Sequence, residues 1–352
     1  RNFENGELVQ RNAVFMDYLQ NGVEVTYEQW GEIKHDIIYL ADYNNVNRNS
    51  FQAINQWTFE EFSEKRADII VFVNGLPLVL VELKSPSREE TDASAAYRQI
   101  KNYMKEIPSM FIYNAFCVMS DMECSKAGTI TSNEDRFMEW KTKDGSYEST
   151  DAIDYDTFFV GMFKRDRFLD ILKNFTCFSC DESGDAKILA GYHQYFAVRK
   201  SLERTKAAID NDGKIGVFWH TQGSGKSLSM VFFAHLLVRH FAETTIVVVT
   251  DRKDLDGQLY GQFARCKDFI RMAPQNAQSR QELISLLKDR KSGGIIFTTI
   301  QKFEESDEPL SLRKNIIVIT DEAHRSQYGD ERFDVKTQTT RKGMALKMRE
   351  AL

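Results

Sequence analysis

The chain lacks the cysteine content of a disulfide scaffold, any membrane-length apolar run and any surplus of positive charge. Its five cysteines (117, 124, 177, 180 and 266) are few and unevenly spaced. That excludes a disulfide framework and suits a reducing, cytoplasmic setting. Cys177-Phe-Ser-Cys180 is a single CxxC without the second pair that a zinc site needs, and it reads as two ordinary thiols. No apolar stretch approaches the roughly 20 residues of a membrane span, and the start carries no signal-peptide pattern. Acidic residues outnumber basic ones by 52 to 46, for a net charge of −6. Any track for nucleic acid must therefore be local. Internal repeats and low-complexity tracts are missing as well.

What is present is a globular composition, 42% hydrophobic and 28% charged, over 352 residues, which is room for two domains. Residue 1 is Arg, and Met348 to Leu352 lie in a helical pattern, so both ends read as cut. Strand signals dominate the first 115 residues. Glu24–Tyr27, Ile37–Leu40, Ile69–Val73 and Leu78–Lys84 are β-branched or aromatic runs broken by Asn, Gly and Pro. Glu89 to Lys105 reads as a helix, Phe111 to Met119 as a strand, and 121–156 as a polar surface excursion. Arg165 to Lys173 has helical spacing and bridges to a second region, with the seam placed near residue 175. Beyond residue 185, strands at Ile215–Trp219, Thr245–Thr250, Ile295–Thr299 and Ile316–Thr320 alternate with helices at Lys226–Phe241, Leu255–Lys267 and Ser279–Asp289. Near-continuous apolar strands separated by helices predict a parallel sheet covered on both faces, with ligands at the carboxyl ends of its strands.

Two constellations carry chemistry. In the first, Asp68 and Glu82-Leu83-Lys84 flank an Asn74-Gly75 turn. Magnesium takes oxygen ligands and keeps several waters, so two carboxylates suffice to hold it. Glu82 and Lys84 are two apart and share one strand face, which sets a cation beside the carboxylate to orient water and offset charge on a phosphate. Register sharpens this reading. A strict two-residue hairpin would put Asp68 opposite Val81 and turn Glu82 to the other face. A shared metal therefore predicts an odd-length loop or a bulge. Gln99 follows on the next helix, with Tyr103 one turn later on the same face.

In the second constellation, Ile215–Trp219 leads through His220 and Thr221 into Gln222-Gly223-Ser224-Gly225-Lys226-Ser227 and then a helix. This is the strand, glycine loop and helix of a phosphate-binding loop. Lys226 is expected to reach the β- and γ-phosphates of ATP, with Ser227 on magnesium. Asp321, at the end of its strand, is placed to hold the same ion, and Glu322 to orient the attacking water.

Asp68, Glu82-x-Lys84 and Gln99-x-x-x-Tyr103 resemble the PD-(D/E)xK nuclease core in its RecB-like branch, where the Gln and Tyr are signature residues. The run Phe72 to Pro86 is similar to the nuclease domain of the restriction subunit of type I restriction–modification enzymes. Asp321-Glu-Ala-His324 resembles a DEAH box of superfamily 2 helicases, in which His324 couples nucleotide state to the DNA track. Gln194 resembles the adenine-reading glutamine of those enzymes. Thr250–Leu255 and Thr298–Lys302 resemble their contacts to the DNA backbone. The resemblance implies an α/β chain with two parts. A restriction-endonuclease-like domain over 1–174 precedes the first RecA-like P-loop motor domain over 175–352, truncated at its C-terminal end. It further implies Mg2+ and ATP as cofactors, double-stranded DNA as substrate, and methylation and specificity subunits as partners. The nuclease-first order separates this family from RecB-like repair helicase–nucleases, the alternative, alongside a catalytically weak nucleotide-binding fragment. Without a second motor domain, the chain is expected to bind Mg-ATP with little turnover.

Overall fold

The computed structural model describes residues 6–85, 93–121, 124–146, 155–182, 184–251, 253–289, 292–303, 309–323, 331–334, 339–342, 347–348 and 351–352. Two compact units, Arg1–Lys200 and Ser201–Leu352, divide the chain. Among the described residues no helix is long and apolar enough to cross a membrane.

The first unit opens with α1 (Leu8–Asn21), capped by a reciprocal Glu7–Gln10 box. A two-stranded hairpin follows, β1 (Val23–Gln29) with β2 (Glu32–Ile38). The central sheet has the order β3 (Phe51–Glu60), β4 (Glu64–Val73), β5 (Leu76–Leu83), β6 (Phe116–Ser120), β7 (Ser125–Gly128), β8 (Met138–Glu139). Only the β5–β6 pairing is parallel. The link between those two strands carries α2 (Ala93–Glu106), which packs on both, and α3 (Pro108–Phe111). The Leu78–Val81 run is wholly buried, as a central strand covered on both faces requires. Leu80, Ile70, Cys117 and Met119 join Ala96, Ile100 and Tyr103 of α2 in one core. The expected strand from Phe111 starts only at Phe116, because Pro108 at the first helical turn opens α3 instead.

The unit continues with α4 (Tyr155–Phe163), α5 (Arg165–Asn174), the hairpin β9 (Thr176–Asp181) with β10 (Gly184–Leu189), and the first part of α6 (Tyr192–Ile209), within which the division falls. The division between Lys200 and Ser201 falls later than the expected seam near residue 175. The reason lies in β10. The Lys187 ammonium is buried and donates to Asn12 Oδ1 (2.8 Å) and the Asn114 carbonyl (2.7 Å), fastening this hairpin to α1 and to the entrance of β6. Gln20 of α1 donates to the carbonyls of Leu172 and Thr176, both at 2.8 Å. Burial holds the Lys187 pKa down at about 7. Along β9 the parity of the strand sends Cys177 inward and Cys180 outward, so the CxxC does not converge on one point.

The second unit contains α7 (Lys226–His240), β11 (Thr245–Thr250), α8 (Lys253–Arg265), α9 (Lys267–Ile270), β12 (Pro274–Asn276), α10 (Arg280–Asp289), β13 (Ile295–Thr299) and β14 (Ile316–Thr320). Its sheet has the order β12-β13-β11-β14, and every pairing is parallel. Three of the four predicted strands match it residue for residue. Ile215–Trp219 does not, since it forms no strand among the described residues. Val217 and Trp219 are 88% and 80% exposed there. Its apolar pattern suits a buried strand, but among the described residues β14, at the sheet edge, pairs only with β11. A strand pattern without a ladder partner stays irregular, because its backbone groups gain nothing over water.

Candidate functional site

The β4–β5 hairpin decides the first site. Asn74 and Gly75 form a two-residue turn with φ of 51° and 81°, the left-handed pair that an Asn-Gly turn supplies. Val73 faces Leu76 and Phe72 faces Pro77, but Val71 faces Val79, so a bulge shifts the register between Val71 and Phe72. Ile69 then faces Val81, and the same register sets Asp68 opposite Glu82. Of the two expected devices, an odd-length loop or a bulge, the hairpin uses the bulge, behind a two-residue turn.

Asp68, Glu82, Lys84, Gln99 and Tyr103 meet on the α2 side of the sheet. The Leu83 N–H donates to Asp68 Oδ2 (2.9 Å), and the Gln56 amide donates to Asp68 Oδ1 (3.2 Å). Lys84 Nζ donates to Glu82 Oε1 (2.7 Å) and to Gln99 Oε1 (2.6 Å). Gln99 Nε2 donates to the Tyr103 hydroxyl (2.5 Å), which donates to the Arg66 carbonyl (3.2 Å). The helix thus fixes the lysine, and the lysine fixes one oxygen of Glu82.

The other oxygen, Glu82 Oε2, is buried with no hydrogen-bond partner. Glu82 is 1% exposed. Burial pushes its pKa up to about 7, opposed by Lys84 and assisted by the charge of Asp68. Burial also lifts the Tyr103 hydroxyl to about 12, so it stays a donor. A bare carboxylate oxygen opposite a second carboxylate, at this burial, is the donor set that a hard divalent cation satisfies. Among the described residues no group of three or more His, Cys, Asp or Glu gathers, so two carboxylates with waters are what the site can offer.

In the second unit the glycine loop leads into α7, with Gly223 at φ 81° and Gly225, its N-cap, at φ 78°. Lys226 Nζ donates to the carbonyls of His220 (3.1 Å) and Thr221 (3.3 Å). Gln222 and Ser227 are exposed, with Ser224 half-buried. At the end of β14 the Asp321 N–H donates to the Val249 carbonyl (2.9 Å), and Asp321 Oδ1 accepts from the Glu322 N–H (2.9 Å). Burial raises the Asp321 pKa, opposed first by the hydrogen bond from the Glu322 N–H and to a lesser extent by the charge of Lys226. Glu322 holds a left-handed φ of 48°. His324 lies outside the described residues.

The type I restriction enzyme R protein N-terminus family matches residues 1–136, and the SWI2/SNF2 ATPase family matches residues 193–352. The chain is 42% identical over 364 residues to the HindI type I restriction enzyme endonuclease subunit of Haemophilus influenzae. That alignment takes in 99% of this chain and 34% of the relative. The chain belongs to the type I restriction enzyme R protein family. The MjaIXP homologue of Methanocaldococcus jannaschii is 35% identical, covering 93% of this chain and 34% of its own length. A Staphylococcus aureus relative, the SauCOLORF180P endonuclease subunit, is 29% identical, covering 83% and 31%. The chain therefore spans about a third of the length of these R proteins.

Two motif segments sit in particular surroundings within this R-protein chain. Gln194 is 4% exposed in the first unit, and its Oε1 accepts from the Gly191 N–H (2.9 Å), as a helix-capping side chain does. Thr250, Thr298 and Thr299 are buried in the sheet at 1%, 0% and 3% exposure, so their hydroxyls do not face a DNA backbone. Nearby, Gln301 is exposed and its amide donates to the Asp251 carbonyl (2.9 Å). Sequence reading missed β3 and, with it, Gln56. The only available signal was alternation in Phe51–Glu60, which Asn and Gln dilute.

Proposed function

We propose that this chain supplies the nuclease and the first motor domain of a type I restriction subunit, with a PD-(D/E)xK site at Asp68, Glu82 and Lys84. The unpaired, buried Glu82 Oε2 facing Asp68 is the observation that carries this reading. Asp68 and Glu82 would hold Mg2+, which when bound activates water and offsets charge on the phosphodiester. Lys84 orients the attacking water and neutralises the phosphate. Gln99 and Tyr103 hold Lys84 at that task through a line of hydrogen bonds.

In the second unit, Gln222 to Ser227 would cradle the phosphates of Mg-ATP. Lys226 would exchange its carbonyl partners for phosphate oxygens. Asp321 would share the magnesium with Ser227, and Glu322 would orient water. His324 would link nucleotide state to DNA, and Gln194 is kept as the candidate for adenine. ATP-driven translocation and cleavage of double-stranded DNA then belong to the complete subunit, in a cytoplasmic complex with methylation and specificity subunits.

The test compares cutting of plasmid DNA by the complete complex carrying wild-type, Asp68→Ala or Lys226→Ala subunits. Asp68→Ala is expected to abolish cutting and spare ATP hydrolysis, whereas Lys226→Ala abolishes both. Cutting that survives Asp68→Ala would remove the nuclease assignment.

A further inference from the structure

β3 and β4 pair residue for residue on both sides of Gln56. Asn55 faces Ile69 and Trp57 faces Ala67, so Gln56 stands opposite Asp68, yet its own place in the ladder is skipped. Its backbone turns to a φ of 53°, the left-handed region, in the middle of a ten-residue strand. An L residue resists that conformation because its Cβ crowds the following carbonyl oxygen. Strain of this kind concentrates where a site needs a side chain re-aimed, and interrupted ladders do the same. At Gln56 the product is specific: its amide reaches Asp68 Oδ1 at 3.2 Å. Asp68 Oδ2 is already held by the Leu83 N–H at 2.9 Å. The carboxylate is therefore gripped at both oxygens, by β5 on one side and by β3 on the other.

We infer that Gln56 is a positioning residue that orients Asp68 toward a divalent cation, an inference that rests on the metal reading of Asp68 and Glu82. An amide suits the task. It donates to one carboxylate lone pair, leaves others open for a metal, and brings no charge to compete with the ion. Gln56 acts through Asp68 and is not itself catalytic.

The test uses Gln56→Gly in the complete subunit, since glycine accepts a φ of 53° and removes the side chain that carries the amide. Thermal melting is followed across a Mg2+ titration, with DNA cutting and ATP hydrolysis measured in parallel. Without metal the variant is expected to melt no lower than wild type. The Mg2+ concentration giving half of the metal-induced rise in melting temperature should increase about tenfold, the usual effect of losing a partner that orients a metal ligand. Cutting should fall at limiting Mg2+ and recover at saturation, with ATP hydrolysis unchanged. An unchanged Mg2+ midpoint would overturn the inference and leave Gln56 as a bend in the strand. A lower metal-free melting temperature with cutting lost at every Mg2+ concentration would also overturn it, in favour of a structural role. If wild type itself shows no Mg2+-dependent rise, the metal site proposed above fails, and the role of Gln56 fails with it.

Discussion

In the first unit, five residues picked out by the sequence meet through bonds between neighbouring strands and one covering helix. In the second, the phosphate loop follows a segment that pairs with nothing among the described residues. The contrast shows what each site depends on. The Asp68–Glu82 pairing is fixed by one turn and one bulge, all within the fifteen residues from 68 to 82. The P-loop needs its preceding strand seated in a sheet whose ladder contacts are distant in sequence, and a good local pattern cannot supply those.

Breaking a core beneath one site only is the strongest way to probe that contrast. Leu80 is fully buried behind Glu82 on β5. Leu80→Ala is expected to destabilise the first unit by roughly 2–5 kcal/mol, seen as an early calorimetric transition, while nucleotide affinity of the second unit holds. A single transition shifted as a whole, with nucleotide binding lost, would show that the two units do not act separately.

A somewhat smaller effect comes from the buried carboxyl. With a folded-state pKa of about 7 against an ordinary 4.5, Glu82 holds its proton longer in the folded chain than in the unfolded one. Between those two values the folded state binds more protons, so metal-free stability should fall as pH rises from about 4.5 to about 7 and then level off. The fall amounts to at most roughly 3 kcal/mol. Denaturant titrations across this range should show it in wild type and not in Glu82→Gln. A slope of the same size in Glu82→Gln would assign it to other groups.

The smallest effect is expected at Trp219, which is 80% exposed. Trp219→Phe should change stability by less than about 0.5 kcal/mol and should remove a red-shifted emission component that iodide quenches. A blue, unquenched component would mean that Ile215–Trp219 is seated in a sheet, and the contrast between the two sites would narrow.

The sequence was most readable where neighbours in the chain are neighbours in space. The register argument at Asp68 and Glu82 needed only strand parity, and β11, β13 and β14 announced themselves as unbroken apolar runs. β3 stayed hidden because its exposed edge carries Gln52, Asn55 and Gln56, which suit water as well as a strand. β9 and β10 were passed over because their signals are short and polar. Their place in the first unit rests on Lys187 and Gln20, partners more than 150 residues apart in sequence. Gln194 adds a detail that spacing does not carry: its amide oxygen accepts from the Gly191 N–H at the start of its own helix.

Glu82 Oε2, buried without a hydrogen-bond partner, is the atom on which the metal site stands. Calorimetry of Mg2+ binding to the nucleotide-free chain near pH 7, repeated in buffers of different ionisation enthalpy, tests it directly. Wild type should bind one ion with net proton release, because Glu82 must give up its proton to ligate, and Glu82→Gln should lose both the binding and the release. Mg2+ binding that Glu82→Gln leaves intact, or that releases no proton, would contradict the account.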